Sequence, residues 1–366
     1  MKKIFSIIFL LCAATALFAQ GKIDWGKTAV TDLSFAYQMY RDNHAGGVDP
    51  ETPCFNAQLE KEYKKALKKA AKAKTEYDYQ KALVSFLAPF KDGHMRVEFD
   101  NQVYPYNFKP VVDESLRRPL SWESFGGNNA WLYLHTFLGV TLLDDYKKFL
   151  PEIENLKNKD IIVLDVRYNG GGNSGLGYMI LNPLYGQDFV SKAEEKLFKN
   201  SSNWYRATPW VVDVLKRWPV SYGIPVNHDM INKVEQAMED GKPLAKIWSW
   251  PPDAKVSPDA QTDLKAKIYV LTDEHCFSAC LSFLDILKAI GDIVQVGRET
   301  NADTRYAQVD KADLPSGKGK IVLSYQLVMG RLRKNNESYK PDYKYKGDMN
   351  DTAALQKWIL QLADKK

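Results

Sequence analysis

Apolar positions recur at helical spacing from Asp32 to about Pro89. The stretches DLSFAYQMYRDN, LEKEYKKALKKAAKAK and EYDYQKALVSFLAPF each set a stripe of large side chains on an otherwise polar surface, and predict consecutive amphipathic helices. Pro89 and Gly93 break the pattern, and HMRVEF then alternates as a strand does. Beyond about residue 100 short strands alternate with helices. NAWLYLHTF predicts a strand and DDYKKFLPEIENLK a helix. DIIVLDVRY and AKIYVLTD are apolar almost throughout, as strands buried on both faces are. SACLSFLDILKAIG follows as a helix with Cys280 or Leu281, Leu284 and Leu287 along one face, and DIVQVG as a further strand. A strand, a helix and a strand of these lengths form a right-handed crossover, so the sheet they build is mostly parallel.

The alternation stops between Leu181 and Thr262, where Trp204, Trp210, Trp218, Trp248 and Trp250 fall among prolines, charges and helical patches. About eighty residues is too long for a simple connection. The stretch reads as an inserted lid or groove wall, and a packed subdomain with the tryptophans in its core is a compatible alternative. The lysines between Lys61 and Lys74 would suit an anionic lipid surface, but the thin stripe of Leu59, Tyr63 and Leu67 beneath them favours a solvated helix face. There is no internal repeat and no low-complexity tract.

With 45% hydrophobic and 26% charged residues, the chain has the composition of a globular protein. The opening MKKIFSIIFLLCAATALFAQ puts two lysines before an apolar run that ends in small residues, the anatomy of a secretory signal over 1–19, with cleavage after Ala19. Leu11 stands before Cys12 where a lipoprotein signal wants a small residue, which argues against lipidation. A periplasmic or secreted location is expected, and no later stretch is long and apolar enough for a membrane span. Without Lys2 and Lys3 the chain keeps 48 basic against 45 acidic side chains, too even a balance to argue for nucleic acid. Cys54, Cys276 and Cys280 allow at most one internal disulfide, so no disulfide framework holds this fold.

Two stretches carry candidate chemistry. RYNGGGNSG, residues 167–175, ends a buried strand in three glycines that let the backbone turn sharply and present bare N–H groups. It matches neither the dinucleotide fingerprint nor the phosphate loop, and suits an oxyanion or simply a tight turn. DEHCFSACLSF, residues 273–283, places Ser278 where a strand hands over to a helix. There a nucleophile gains an oxyanion donor from the following amide, that of Ala279; serine is equally a common helix cap. Of the five histidines, His135 and His228 suit structural roles, and His275 lies close to Ser278 in sequence without being aimed at it. His44 and His94 occupy glycine-bearing turns, and Asp92-Gly93 delivers His94 to the start of a strand. No histidine pair has the spacing of a zinc protease, so no metal is expected. Cys276 and Cys280 serve as small buried hydrophobes or as a short disulfide beside the serine; a cysteine nucleophile is the weaker option.

DIIVLDVRYNGGG, followed about a hundred residues on by KIYVLTDEHCFSACLSFLDILKAIGDIVQVGRET and preceded by a helical segment ending in FKDGHMRV, resembles the tail-specific, C-terminal-processing serine peptidases and their tricorn-core relatives. The resemblance covers nearly the whole mature chain. It implies an α/β fold with a crotonase-like (ClpP-type) core and a mostly parallel sheet over 100–366, after a small helical N-terminal domain over 20–99. It implies hydrolysis of peptide bonds near chain ends, in a peptide or unfolded protein, without a cofactor.

By motif position Ser278 is similar to the nucleophile, and Ala279 with one of Gly170, Gly171 and Gly172 to the oxyanion donors. The processing branch carries a lysine base some way after the serine. Here Asp303 stands in that place, and a carboxylate is far less basic than a deprotonated lysine. The tricorn-like branch takes a histidine from the N-terminal side, where His94 stands, although Gly93 replaces the serine of that pattern. Glu337, in NNESYKPDY, matches the glutamate that completes the set. Only seventy residues separate His94 from Asp165, which leaves no room for the PDZ module common in the processing branch. Substrate selection then falls to the helical domain and the tryptophan-rich insertion. The alternative is a catalytically inactive member of the same fold that binds a peptide or other ligand; a hydrolase of small esters is a weaker third.

Overall fold

The computed structural model describes residues 23–99, 102–104, 114–139, 142–222 and 224–365. The expected leader, 1–19, lies outside them. Helices α1 (Trp25–Asn43), α2 (Phe55–Ala70) and α3 (Glu76–Leu87) form on the three helical stretches. Asp24 caps α1 by accepting the Lys27 N–H, and Thr75 with Asp78 forms a reciprocal capping box on α3. Their inward faces, including Leu33, Tyr40, Leu59, Tyr79 and Phe86, share one core, while the α2 lysines stay outside.

A turn leads from α3 into the hairpin β1 (Arg96–Phe99) and β2 (Gln102–Tyr104). There follow β3 (Ser121–Phe125), β4 (Asn129–Tyr133), α4 (Leu142–Glu154), β5 (Ile161–Asp165), α5 (Ser174–Tyr185), α6 (Gln187–Phe198), β6 (Ser202–Arg206), α7 (Pro209–Tyr222), α8 (His228–Glu239) and β7 (Leu244–Ser249). The remainder comprises β8 (Lys267–Thr272), α9 (Ala279–Ile290), β9 (Ile293–Gly297), β10 (Tyr306–Asp313), β11 (Lys320–Met329), β12 (Tyr343–Lys344) and α10 (Thr352–Ala363).

The first sheet runs β12-β9-β8-β5-β4-β3 and is parallel except where β3 meets β4. Because side chains alternate along a strand, β5 sends Ile162 and Leu164 to the face covered by α4, α5, α6 and α9. Ile161 and Val163 go to the opposite face, under α10. Burial on both faces, at about 1.5–3 kcal/mol for each large aliphatic side chain, explains why these strands read as unbroken apolar runs.

The second sheet was not foreseen. It is antiparallel and runs β2-β1-β11-β6-β7, with β10 also on β11. Three of its strands come from regions whose sequence pattern the parallel core does not explain. β6 and β7 belong to the tryptophan-rich stretch, which has a packed core of its own: α7 and α8 bury Val211, Leu215, Trp218 and Val234 against Tyr325 of β11. The helical segment is joined to the rest through the same sheet, since Val97 pairs with Ile321 and α1–α3 pack over Ile321 and Leu323. The second sheet thus carries the Asp-Gly-His turn, and the first carries the strand before Ser278.

Candidate active site

Ser278 stands in the turn between β8 and α9 with φ 55° and ψ −117°. A residue with a Cβ rarely adopts that backbone, at a cost of about 1–3 kcal/mol. It holds the N-cap position of α9, yet its side chain makes no capping bond. Its hydroxyl instead lies 3.1 Å from Nε2 of His94. Cys276 and Cys280, both fully buried, are joined by a disulfide that brackets the serine by two residues on each side. Replacing both cysteines with alanine is expected to lower stability by about 2 kcal/mol, the chain-entropy value for so short a loop. Urea denaturation of the oxidised wild type and the double variant measures this.

His94 enters β1 from the Asp-Gly-His turn, where its backbone N–H donates to Asp92 Oδ1 at 2.8 Å. Its ring packs against Phe277, the residue before the serine, with centroids 4.8 Å apart. Burial pushes the imidazole below its usual value; the Asp92 and Asp303 carboxylates draw it part of the way back, and Arg96 opposes them. The ring is therefore largely uncharged at neutral pH, with a lone pair available for a proton. Asp92 is itself buried, which pushes its carboxyl up, but His44, His94 and the His94 amide more than reverse this and hold it below the ordinary carboxylate value.

The glycine loop is anchored from beneath. Asp165, at the end of β5, accepts the Trp131 Nε1–H and the Arg167 Nε–H, each at 2.9 Å. Arg167 also donates to the Met349 carbonyl and the Thr352 hydroxyl of the C-terminal segment. Burial pushes Asp165 up, and Arg167 with His135 more than reverses it, holding the carboxyl well below the ordinary range. Asn169 then ties three segments together. Its Nδ2–H donates to the Leu134 carbonyl at 2.7 Å, its Oδ1 accepts the Gly171 N–H at 2.9 Å, and its carbonyl accepts the Phe277 N–H at 3.1 Å.

Gly171, at φ +98°, lies so close to the serine that a Cβ there would sit 2.8 Å from the Ser278 Cβ and 2.9 Å from the Ala279 nitrogen. Since Asn169 takes the Gly171 amide, that glycine supplies space rather than a donor. The N–H groups of Ala279, Gly170 and Gly172 have no partner among the described residues.

The sequence model of peptidase family S41 matches residues 129–343, more than half of the 366-residue chain. The chain belongs to peptidase family S41. Membership makes it a hydrolase of the serine-peptidase type. No curated protein matches the sequence. Among solved structures, mature CPAF is similar at a TM-score of 0.56 and 14% identity, over 93% of this chain and 98% of that one. Mature CPAF complexed with lactacystin gives the same TM-score and identity over 93% and 99%. The tricorn protease gives 0.49 and 11% over 93% of this chain and 37% of its own. At such identities the likeness to CPAF is one of fold.

The S41 match includes Ser278, Ala279, the three glycines and Glu337, and begins after His94. Glu337 is not brought to His94. Its carboxylate is exposed and accepts the Lys334 N–H at 2.7 Å, and among the described residues no ion pair or hydrogen bond joins it to His94. The tight turn at 334–337 holds it at the surface, which corrects the expectation for this residue. Asp303 is buried and paired with Arg331 and Arg333. His135 accepts the Arg118 N–H and faces Asp165, His275 lies 3.0 Å from Asp273, and His228 is exposed at the start of α8. Among the described residues no cluster of His, Cys, Asp and Glu is arranged to hold a metal ion. Sequence reasoning missed Asp92 and Asn169. Asp92 has a signal, an acid two residues before the candidate base and within the turn that delivers it.

Proposed function

We propose that this S41 member is a peptidase that cleaves peptide bonds near polypeptide C-termini by Ser-His acyl-enzyme chemistry, in the periplasm or outside the cell. The approach of His94 Nε2 to Ser278 Oγ, 3.1 Å at a strained strand-to-helix turn, carries the proposal. His94 takes the hydroxyl proton as Oγ attacks the substrate carbonyl. The developing oxyanion is held by the Ala279 N–H together with that of Gly170 or Gly172, each well-placed donor contributing about 3 kcal/mol. His94 passes its proton to the leaving amine, and water releases the acyl group along the same path. No step calls on Glu337. Family membership supports a peptide or unfolded protein as substrate, and the C-terminal preference follows from the resemblance of the motifs.

The location is supported by the lysine-led apolar leader and by the disulfide beside Ser278, since such bonds persist in oxidising compartments. Mass spectrometry of the mature protein from an extracytoplasmic fraction is expected to find Gln20 at the N-terminus. A mature chain that keeps Met1 would exclude it.

A fluorophosphonate probe tests the chemistry without knowledge of the substrate. Wild type is expected to be labelled on Ser278, and the Ser278→Ala and His94→Gln variants to stay unlabelled. If wild type is silent at every pH, the chain is instead a binding member of the fold. Because burial depresses the His94 pKa, the labelling rate should rise with pH through a midpoint below the usual imidazole value of about 6.5. A midpoint above that value would show that His94 is not the base.

A further inference from the structure

The Nδ1 atom of His94 is buried and makes no side-chain hydrogen bond; a main-chain contact with Tyr306 also favours the charged ring. If the Ser278 hydroxyl donates to Nε2, the neutral ring carries its proton on Nδ1, and a group on that side must favour the positive charge that follows proton transfer. From the geometry we infer that Asp92 is the positioning residue for His94, a buried carboxylate that fixes the backbone of the base and faces the Nδ1 side of its ring. The premise is the Ser278–His94 pair proposed above.

Three segments converge on this carboxylate. Asp92 Oδ1 accepts the His94 N–H at 2.8 Å and lies 3.8 Å from Nδ1. Oδ2 accepts the Thr304 hydroxyl at 3.0 Å, from the segment that enters β10. Behind it His44, in the turn after α1, places Nε2 3.7 Å from Oδ2. His44 Nδ1 accepts the Gly46 N–H at 3.0 Å, so the His44 proton sits on Nε2 and is directed at Asp92. The His44 ring is clamped by a parallel stack on Phe55 at 4.8 Å and by the edge of Tyr306 at 5.0 Å. Such a fixed shell keeps the carboxylate where it is, since each of its neighbours is itself immobilised.

The other charges that face His94 do less. Asp303, before β10, is neutralised by Arg331 and Arg333. Arg96, on β1, is turned to Glu98 and opposes protonation of the ring. Asp92 makes no ion pair with a lysine or arginine among the described residues, so its charge is left for the two histidines. At 3.8 Å the carboxylate is too far for a hydrogen bond, and its effect on the ring is Coulombic, strongest once the imidazolium forms. Asp92 thereby fills the part expected of Glu337, from the turn of the base itself rather than from a distant loop.

The test is the pH dependence of fluorophosphonate labelling in Asp92→Asn, a variant that keeps the acceptor for the His94 amide and removes the charge. The alkaline plateau rate is expected to fall by about 100-fold or more. The acid limb should also move to lower pH, because burial of the ring is then less opposed. An acid limb that stays in place, whether or not the rate falls, overturns the inference and leaves Asp92 a support for the turn. Should the variant fail to fold, nitrogen-15 NMR of histidine-labelled wild type decides instead. The expected tautomer has the His94 proton on Nδ1, and a proton on Nε2 overturns the inference. Failure of wild type to label at all refutes the Ser278–His94 pair; labelling that is lost in His94→Gln but keeps its acid limb in Asp92→Asn refutes Asp92 alone.

Discussion

With Ser278 replaced by alanine, kcat/KM is expected to fall by about 10⁴- to 10⁶-fold while the protein stays folded. In the proposed mechanism the hydroxyl is the attacking group, and among the described residues its one polar side-chain partner is His94. Groups that act as one unit do not add, so Ser278→Ala/His94→Gln should be no slower than Ser278→Ala alone. The backbone allows a sharper check. Alanine keeps the Cβ that makes φ 55° and ψ −117° costly, whereas glycine does not. Ser278→Gly is therefore expected to be more stable than Ser278→Ala by about 1–2 kcal/mol, the strain relieved less the entropy glycine loses on folding. Equal urea midpoints for two inactive variants would show that the turn holds no strain.

The second large effect is expected at Gly171. An added Cβ would meet the Phe277 carbonyl oxygen at 2.8 Å, the Ser278 Cβ at 2.8 Å and the Ala279 nitrogen at 2.9 Å, at a φ of +98°. Two of those atoms are backbone and the third is fixed to it, so no flexible side chain can yield. Gly171→Ala should push the glycine loop away from the serine and disturb the Ala279 donor, lowering kcat/KM by about 10²- to 10³-fold, the scale of a lost oxyanion contact. Gly186→Ala is the control: φ is +86° there, but nothing lies within 4 Å. It is expected to lose stability through backbone strain alone and to keep its activity. If Gly171→Ala matches Gly186→Ala in rate, the close approach of loop and serine is not needed for turnover.

Most of the parallel core was legible because its signals are local. Residues 161–165 and 268–272 lie buried on both faces, and such strands announce themselves as apolar runs. The α9 face of Cys280, Leu281, Leu284 and Leu287 follows the helical period, and all four are buried. The antiparallel sheet was harder to see. β11 pairs with β1 and β6, whose sequence positions lie far from its own. Half-buried strands of that kind carry mixed burial, as β6 and β7 do, and their tryptophans suggest a lid as readily as a core. Within the site, Ser278 and the glycine loop stood out because their chemistry is written in neighbouring residues. Glu337 was misplaced because spacing to a Pro-Asp pair says nothing of which way a surface turn points.

The sequence by itself determined the periodicities, the buried parallel strands, the crossover helix after Ser278 and the glycines that permit a tight bend, since each depends on residues within a few positions of one another. Only the tertiary structure decided that His94 reaches the serine, that Asp92 lies beside it and that Cys276 is bonded to Cys280. His94 and Ser278 are 184 positions apart in the chain. Their 3.1 Å approach depends on how two sheets close upon each other, and that is set by the summed packing of many side chains rather than by any local pattern.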